Sequence, residues 1–146
     1  MNLAVEIFDL IEKYIRAARE DGVNMILVPI HTPPLDTAFG TQRTCVQLVD
    51  ITKEGEKYFF NFDKFKRFIS ICKKCNVEYY EMAHMFSQWG AEYAPNIKVT
   101  ENGVCDYKFG WHVSSKSPEY IEFLKHYIPA IISALKEEGV FDKKYF

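Results

Sequence analysis

The sequence has no run of about 18 apolar residues, so no helix drawn from it is long and apolar enough to cross a membrane. It has no excess of basic residues. Eighteen Lys and Arg against 20 Asp and Glu leave a formal charge of −2, and no basic surface points to a nucleic-acid partner. The amino terminus, Met1-Asn2-Leu3-Ala4-Val5-Glu6, has neither a basic stretch nor a small-residue cleavage site, so a signal peptide is not expected there. Cysteine is sparse, at four. Cys72-Lys73-Lys74-Cys75 has the C-x-x-C spacing but no second pair and no His pair at zinc-ligand spacing. It also lies near the end of a predicted helix, where a redox motif would open one. The four are therefore read as reduced structural thiols, and neither metal nor cofactor is expected.

What the sequence does have is apolar mass. Of its 146 residues 48% are hydrophobic and 16% aromatic, enough to fill the core of one domain. Residues 3–21 read as an amphipathic helix with Leu3, Ile7, Leu10, Ile11, Tyr14 and Ala18 on one face. Val23 to Ile30 follow as a largely apolar strand, the pattern of burial on both faces in a parallel sheet. His31 to Thr44 form a long loop. Cys45–Ile51 and Lys57–Phe60 flank Glu54-Gly55 as a hairpin. Phe62, Phe65, Phe68, Ile69 and Cys72 mark a second helix, with Asn61 as its N-cap. Val77–Ala83 is a second strand, and residues 84–116 read as irregular. Ser117-Pro118 opens a last helix with the stripe Ile121, Leu124, Ile128, Ile131 and Leu135, kinked at Pro129. A third strand starts after Gly139.

One junction recurs three times: a helix, then Gly or Asn, then Val entering a strand. It occurs at Gly22-Val23, Asn76-Val77 and Gly139-Val140. Such alternation predicts an α/β fold, parallel strands alternating with helices joined by right-handed crossovers. Two strands and the start of a third leave both sheet edges open. The expectation is that residues 1–146 are a fragment of a larger α/β domain, prone to self-association through those edges.

Residues 78–91, Glu78-Tyr79-Tyr80-Glu81-Met82-Ala83-His84-Met85-Phe86-Ser87-Gln88-Trp89-Gly90-Ala91, followed by Ala94-Pro95-Asn96-Ile97, resemble a segment of family 123 glycoside hydrolases and their uncharacterised relatives. Gly22-Val23-Asn24-Met25, Thr32-Pro33-Pro34-Leu35-Asp36-Thr37, Val46-Gln47-Leu48-Val49-Asp50 and Phe109-Gly110-Trp111 are similar to the same family. The resemblance implies an eight-stranded β/α barrel, of which this chain would be a partial TIM-barrel fragment. It also implies cleavage of terminal β-linked N-acetylgalactosamine from glycans. In that family's substrate-assisted, retaining chemistry the 2-acetamido oxygen attacks the anomeric carbon. An Asp orients the acetamido group, and the Glu that follows it is the general acid. This sequence contains no Asp-Glu dipeptide; Glu20-Asp21 is the reverse order at a helix end. A positioned acid contributes about 10²–10⁴-fold, so hydrolysis by this chain alone is expected to be negligible and no catalytic residue is assigned.

Candidate substrate-binding residues follow from the rule that barrel chemistry gathers at the carboxyl ends of strands. His31 ends the first strand, where it would bond either a sugar hydroxyl or the loop backbone. Glu81 ends the second, as a hydroxyl ligand or in a salt bridge to Arg43. His84 follows three residues later; a metal trio with Glu81 and His31 is not expected. Trp89 and Trp111 offer indole faces to a sugar, or pack the loop core. Arg43 and Asp50 match family positions but read equally as a structural ion pair. The expected partner is a glycan or amino sugar. The alternative is a non-catalytic carbohydrate-binding or assembly module.

Overall fold

The computed structural model describes residues 3–35, 37–88 and 90–145. Its elements run α1 (Leu3–Glu20), β1 (Met25–Val28), β2 (Asp50–Glu54), β3 (Lys57–Asn61), α2 (Asp63–Lys74), β4 (Tyr79–Met82), β5 (Ile97–Glu101), β6 (Val104–Phe109), α3 (Pro118–Glu137), a 3₁₀ turn (Phe141–Lys143) and β7 (Lys144–Tyr145). They form two sheets. One has the order β1-β4-β7, with both pairs parallel. The other has the order β3-β2-β5-β6, two antiparallel hairpins joined by a short parallel pairing of β2 with β5. The fold is mixed α/β with parallel strands and helices, and no closed barrel is formed by the described residues.

The repeated helix-to-strand junction has one physical cause. Gly22, Asn76 and Gly139 all take positive φ, at 92°, 61° and 68°. At each, the following Val donates to the carbonyl five residues back: Val23 to Ala18, Val77 to Cys72 and Val140 to Leu135, at 2.9–3.0 Å. The Gly or Asn donates to the carbonyl three back. This is a Schellman stop, which satisfies the last helix carbonyls and turns the chain toward the sheet. Each regular strand begins beyond the Val, after a short extended or 3₁₀ step.

The mixed sheet departs from expectation. β2 begins at Asp50, so Cys45–Val49 is loop. Residues 84–116 are not wholly irregular, because β5 and β6 form a hairpin there. Asn102 and Gly103, at φ 52° and 78°, make its two-residue turn. Two positive φ values match the right-handed twist of the flanking strands, which is why Asn-Gly is favoured there. Ile97 and Val99 point inward, and Phe109 lies opposite Ile97.

The helices bury only part of the faces expected, with Ile131 and Leu135 of the α3 stripe buried as read. α1 buries Phe8 and Ile15, and leaves Ile7, Leu10 and Tyr14 exposed at 52%, 53% and 70%. α3 buries Tyr120, Phe123, Tyr127, Ile131, Ala134 and Leu135, and leaves Ile121 and Ile128 outside. Both helices carry two apolar stripes, and periodicity alone does not say which one meets the sheet. For α3 the aromatics decide. The Phe123 ring lies 4.8 Å from Phe109, 4.9 Å from Tyr127 and 5.3 Å from Tyr58 between centroids. That cluster ties α3 to β3 and β6. The helix runs through Pro129 to Glu137.

α2 buries Phe65, Phe68, Ile69 and Cys72 as expected. Its cap residue is Phe62, one beyond Asn61; the Asn61 side chain accepts from the Asp63 N–H at 2.8 Å. β1 is not buried on both faces. Among the described residues it pairs only with β4, and Met25 is 46% exposed. Cys72 and Cys75 are buried and unbridged, and burial pushes the Cys72 thiol up to about 12.

Candidate functional site

β1 and β4 deliver their carboxyl ends side by side. Val28 pairs with Met82, and the Ala83 N–H donates to Val28 O, extending the parallel ladder by one step. Past this point the chain leaves β1 through Pro29, Ile30 and His31, and leaves β4 through Ala83 and His84. The first exit is fixed from beneath, where the Tyr127 hydroxyl donates to Ile30 O at 3.2 Å. The second is fixed by the Tyr120 hydroxyl, which donates to Met85 O. Both tyrosines are buried on α3, so one helix sets the height of both strand ends.

His31 is fully buried. Its Nδ1 lies 3.4 Å from Thr32 O. A carbonyl can only accept, so Nδ1 carries the proton and Nε2 presents a lone pair. Among the described residues Nε2 has no hydrogen-bond partner. Burial lowers the imidazole pKa from 6.5 to about 4, the Thr32 carbonyl opposes that, and nearby His84 adds to it. His31 is neutral at physiological pH.

Glu81 and the nearby His84 form a half-buried pair, with Nε2 3.4 Å from Oε1. The salt bridge from Glu81 to Arg43 is not formed. Arg43 instead donates from Nη1 to Leu35 O at 2.7 Å and closes the loop after β1. Nor does Arg43 pair with Asp50, whose carboxylate takes Lys64 at 2.7 Å. The physical reason is position: Arg43 lies on the loop and Asp50 already begins β2. Among the described residues, no group of three His, Cys, Asp or Glu stands where it could hold a metal ion.

The loops build a rim. Ser87 and Tyr93 tie their loop at both ends, through Ser87 N to Tyr93 O at 2.8 Å and Tyr93 N to Ser87 Oγ at 3.1 Å. Trp89, inside that loop, lies outside the described residues. Trp111 donates from Nε1 to Thr41 O at 2.8 Å, which links the end of the second hairpin to the loop after β1. Its ring sits 5.1 Å from Phe39 and 5.8 Å from Tyr93. Thr32, Arg43, Ser87, Asn96 and Trp111 share a narrow crevice. Gly110 is buried before Trp111, where a Cβ would run into Oδ1 of Asn96. That close approach holds the indole's backbone against the Asn96 loop.

Two groups of expected residues are therefore assembled: His31 with Glu81 and His84, and Arg43 with Trp111. Sequence reasoning missed Phe39 and Tyr93. The available signal was an aromatic, Phe39, in an otherwise polar and proline-rich loop. A larger cleft, about 1000 Å³, lies elsewhere, between Ile7, Phe8 and Ile11 of α1, Leu27 of β1 and Ile51 of β2. Of the expected residues it touches Arg43 and Asp50.

The sequence matches the family model described as glycoside hydrolase 123, catalytic domain, over residues 3–146. A search of curated proteins returns no match. Among solved structures the chain is similar to a family 123 glycoside hydrolase from Clostridium perfringens, described for glycolipid glycan hydrolysis. The TM-score is 0.68 at 11% identity, over 95% of this chain and 24% of that one. At that identity the likeness is one of fold, and this chain spans about a quarter of that protein's length. With the family model matched over nearly its whole length, the chain belongs to glycoside hydrolase family 123.

Proposed function

We propose that residues 1–146 are a piece of a β/α-barrel catalytic domain of the β-N-acetylgalactosaminidase type, recognising an amino sugar but not cleaving it unaided. The observation that carries this reading is the Glu81–His84 pair near buried His31 at the carboxyl ends of two parallel strands, in a chain of this family. Parallel strand ends in a β/α fold are where ligands bind. Glu81 accepts from a sugar hydroxyl, and His84 orients the carboxylate. His31, neutral and fully buried, packs near them and supports the strand end without touching the sugar. Arg43 and Trp111 contribute from the rim; Trp89 lies outside the described residues. The intact reaction needs a group to polarise the acetamido and an acid to protonate the leaving oxygen. With no Asp-Glu dipeptide in the sequence, neither is assigned to this chain.

The test is a paired assay on the 146-residue chain. 4-Nitrophenyl N-acetyl-β-galactosaminide should release no nitrophenol above background, while N-acetylgalactosamine should bind saturably at millimolar concentration, and more weakly to Glu81→Gln. Enzyme-like release would overturn the inactivity. Absence of binding by a folded sample would overturn the recognition.

A second reading, an assembly module, is favoured by one observation. The stripe Ile7, Leu10 and Tyr14 is exposed beside the edge of β1 left unpaired among the described residues, and Tyr145 is exposed at the far edge on β7. Open parallel edges are normally covered. Concentration-dependent sedimentation that is lost in Leu10→Glu would support association through that flank.

A further inference from the structure

The loop after β1 holds an aromatic ring in a place that hydrophobicity alone does not favour. Residues 35–43 close on themselves through Arg43 Nη1 to Leu35 O at 2.7 Å. Their tip is a turn in which Thr41 donates to Ala38 O from both N, at 3.0 Å, and Oγ1, at 2.7 Å. Gly40 turns the chain at φ 77°. Phe39 stands on this tip, 69% exposed. A side chain so exposed is ordinarily free to move, yet this one is buttressed. Tyr93 meets it at 5.3 Å with planes at 64°, and Trp111 at 5.1 Å with planes at 55°. Neither neighbour stacks parallel to it. Trp111 cannot serve as the open surface itself, because its N–H is spent on Thr41 O and Phe39 and Tyr93 both pack against its ring.

Resting on the glycan-binding reading above, we propose that Phe39 is the residue on which a sugar stacks, with Trp111 and Tyr93 as its support. The ligand class is a pyranose that presents a flat C–H face, as galactose-configured sugars do. A fixed, half-open aromatic ring gains contact area at little cost in conformational entropy. Arg43, four residues on in the same loop, supplies the polar side: a guanidinium carries five N–H donors, and among the described residues it makes one hydrogen bond, to Leu35 O. Phe39 thus sets specificity and position and takes no part in bond cleavage.

The test is nuclear magnetic resonance of the 146-residue chain with ¹³C-labelled aromatic rings. The probes are methyl N-acetyl-β-galactosaminide, methyl β-galactoside and phosphatidylcholine vesicles. Sugar should shift the Phe39 ring signals. Phe39→Ala should weaken sugar binding about fivefold, and Phe39→Trp should restore it. Trp111→Phe, which keeps a ring but loses the N–H bond to Thr41, should fall between. Phe39 is exposed, so its variants should keep the remaining spectrum. Equal sugar affinity in Phe39→Ala, with shifts at Glu81 and His84 retained, overturns the platform and leaves the broader reading standing. No shift anywhere with either sugar overturns both. Binding of vesicles but not of sugars, abolished by Phe39→Ala, overturns the platform in favour of a lipid contact.

Discussion

The two sheets are held together in different ways. In the β3-β2-β5-β6 sheet most pairing is local, through two hairpins with two-residue turns, and α3 seals one face with aromatic rings. In the β1-β4-β7 sheet every pair joins residues far apart in the chain, Met25 with Tyr79 and Tyr80 with Lys144, and among the described residues both outer edges are open. Local pairing pays its loop-closure entropy in small steps, whereas distant parallel pairing must wait for a helix to pack first. The candidate site draws on both. Its floor, His31, Glu81 and His84, stands on the parallel sheet. Its rim, Trp111 with Phe39, hangs between the end of β6 and the loop after β1. The candidate floor thus sits on the less self-sufficient sheet and is steadied by α3, which bonds both strand exits through Tyr127 and Tyr120.

The largest expected effect breaks the brace. Phe123→Ala empties the aromatic cluster under α3 and should cost about 3–5 kcal/mol in urea unfolding. Phe59→Ala, on the exposed side of β3, should stay within about 0.5 kcal/mol. Equal losses would show that α3 and the mixed sheet do not depend on this cluster.

The next isolates the floor. The folded pKa of His31 lies near 4, below the ordinary 6.5 of an unfolded chain. Its neutral form is therefore favoured by folding: the contribution is complete above pH 6.5 and is lost as pH falls toward 4. The shift corresponds to about 3 kcal/mol. Exposed carboxylates whose pKa is lowered by lysine partners, such as Glu101 beside Lys108 and Lys53, also lose stability at acid pH. The measurement is thus a difference. The gap between wild type and His31→Gln should narrow between pH 6.5 and 4, and a constant gap would contradict the buried neutral imidazole.

The smallest concerns the entry to α3. The Ser117 hydroxyl accepts from the Tyr120 N–H at 3.3 Å. Ser117→Ala should lower stability by about 1 kcal/mol, read from chemical unfolding. It should also increase amide exchange in the first turn of α3 more than in β2–β3.

Legibility in the sequence followed the same division. The parallel sheet could be read because each of its helices ends on a Gly or Asn that must take positive φ. The β5–β6 hairpin carried its Asn102-Gly103 signal openly. β6, however, is a solvent-facing edge strand whose first residues are exposed and show no alternation. The buried faces of α1 and α3 were only partly legible: Ile131 and Leu135 are buried as read, but Ile121 and Ile128 are not, since each helix is apolar on two sides and the choice belongs to the partner. In the floor, strand-end position alone singled out His31, Glu81 and His84. In the rim, Trp111 stood out by type, but Phe39 acquires meaning only from Tyr93 and Trp111, which are distant in sequence.

The central claim is that a sugar is recognised at the carboxyl ends of β1 and β4 and not in the larger cleft between α1, β1 and β2. The most direct test is to titrate the ¹⁵N-labelled chain with methyl N-acetyl-β-galactosaminide and map the shifted amides. The account predicts saturable shifts at Glu81, His84 and Trp111, none of which lines the larger cleft. Shifts confined to Ile7, Phe8, Ile11 and Leu27, with none at Glu81 or His84, would contradict it.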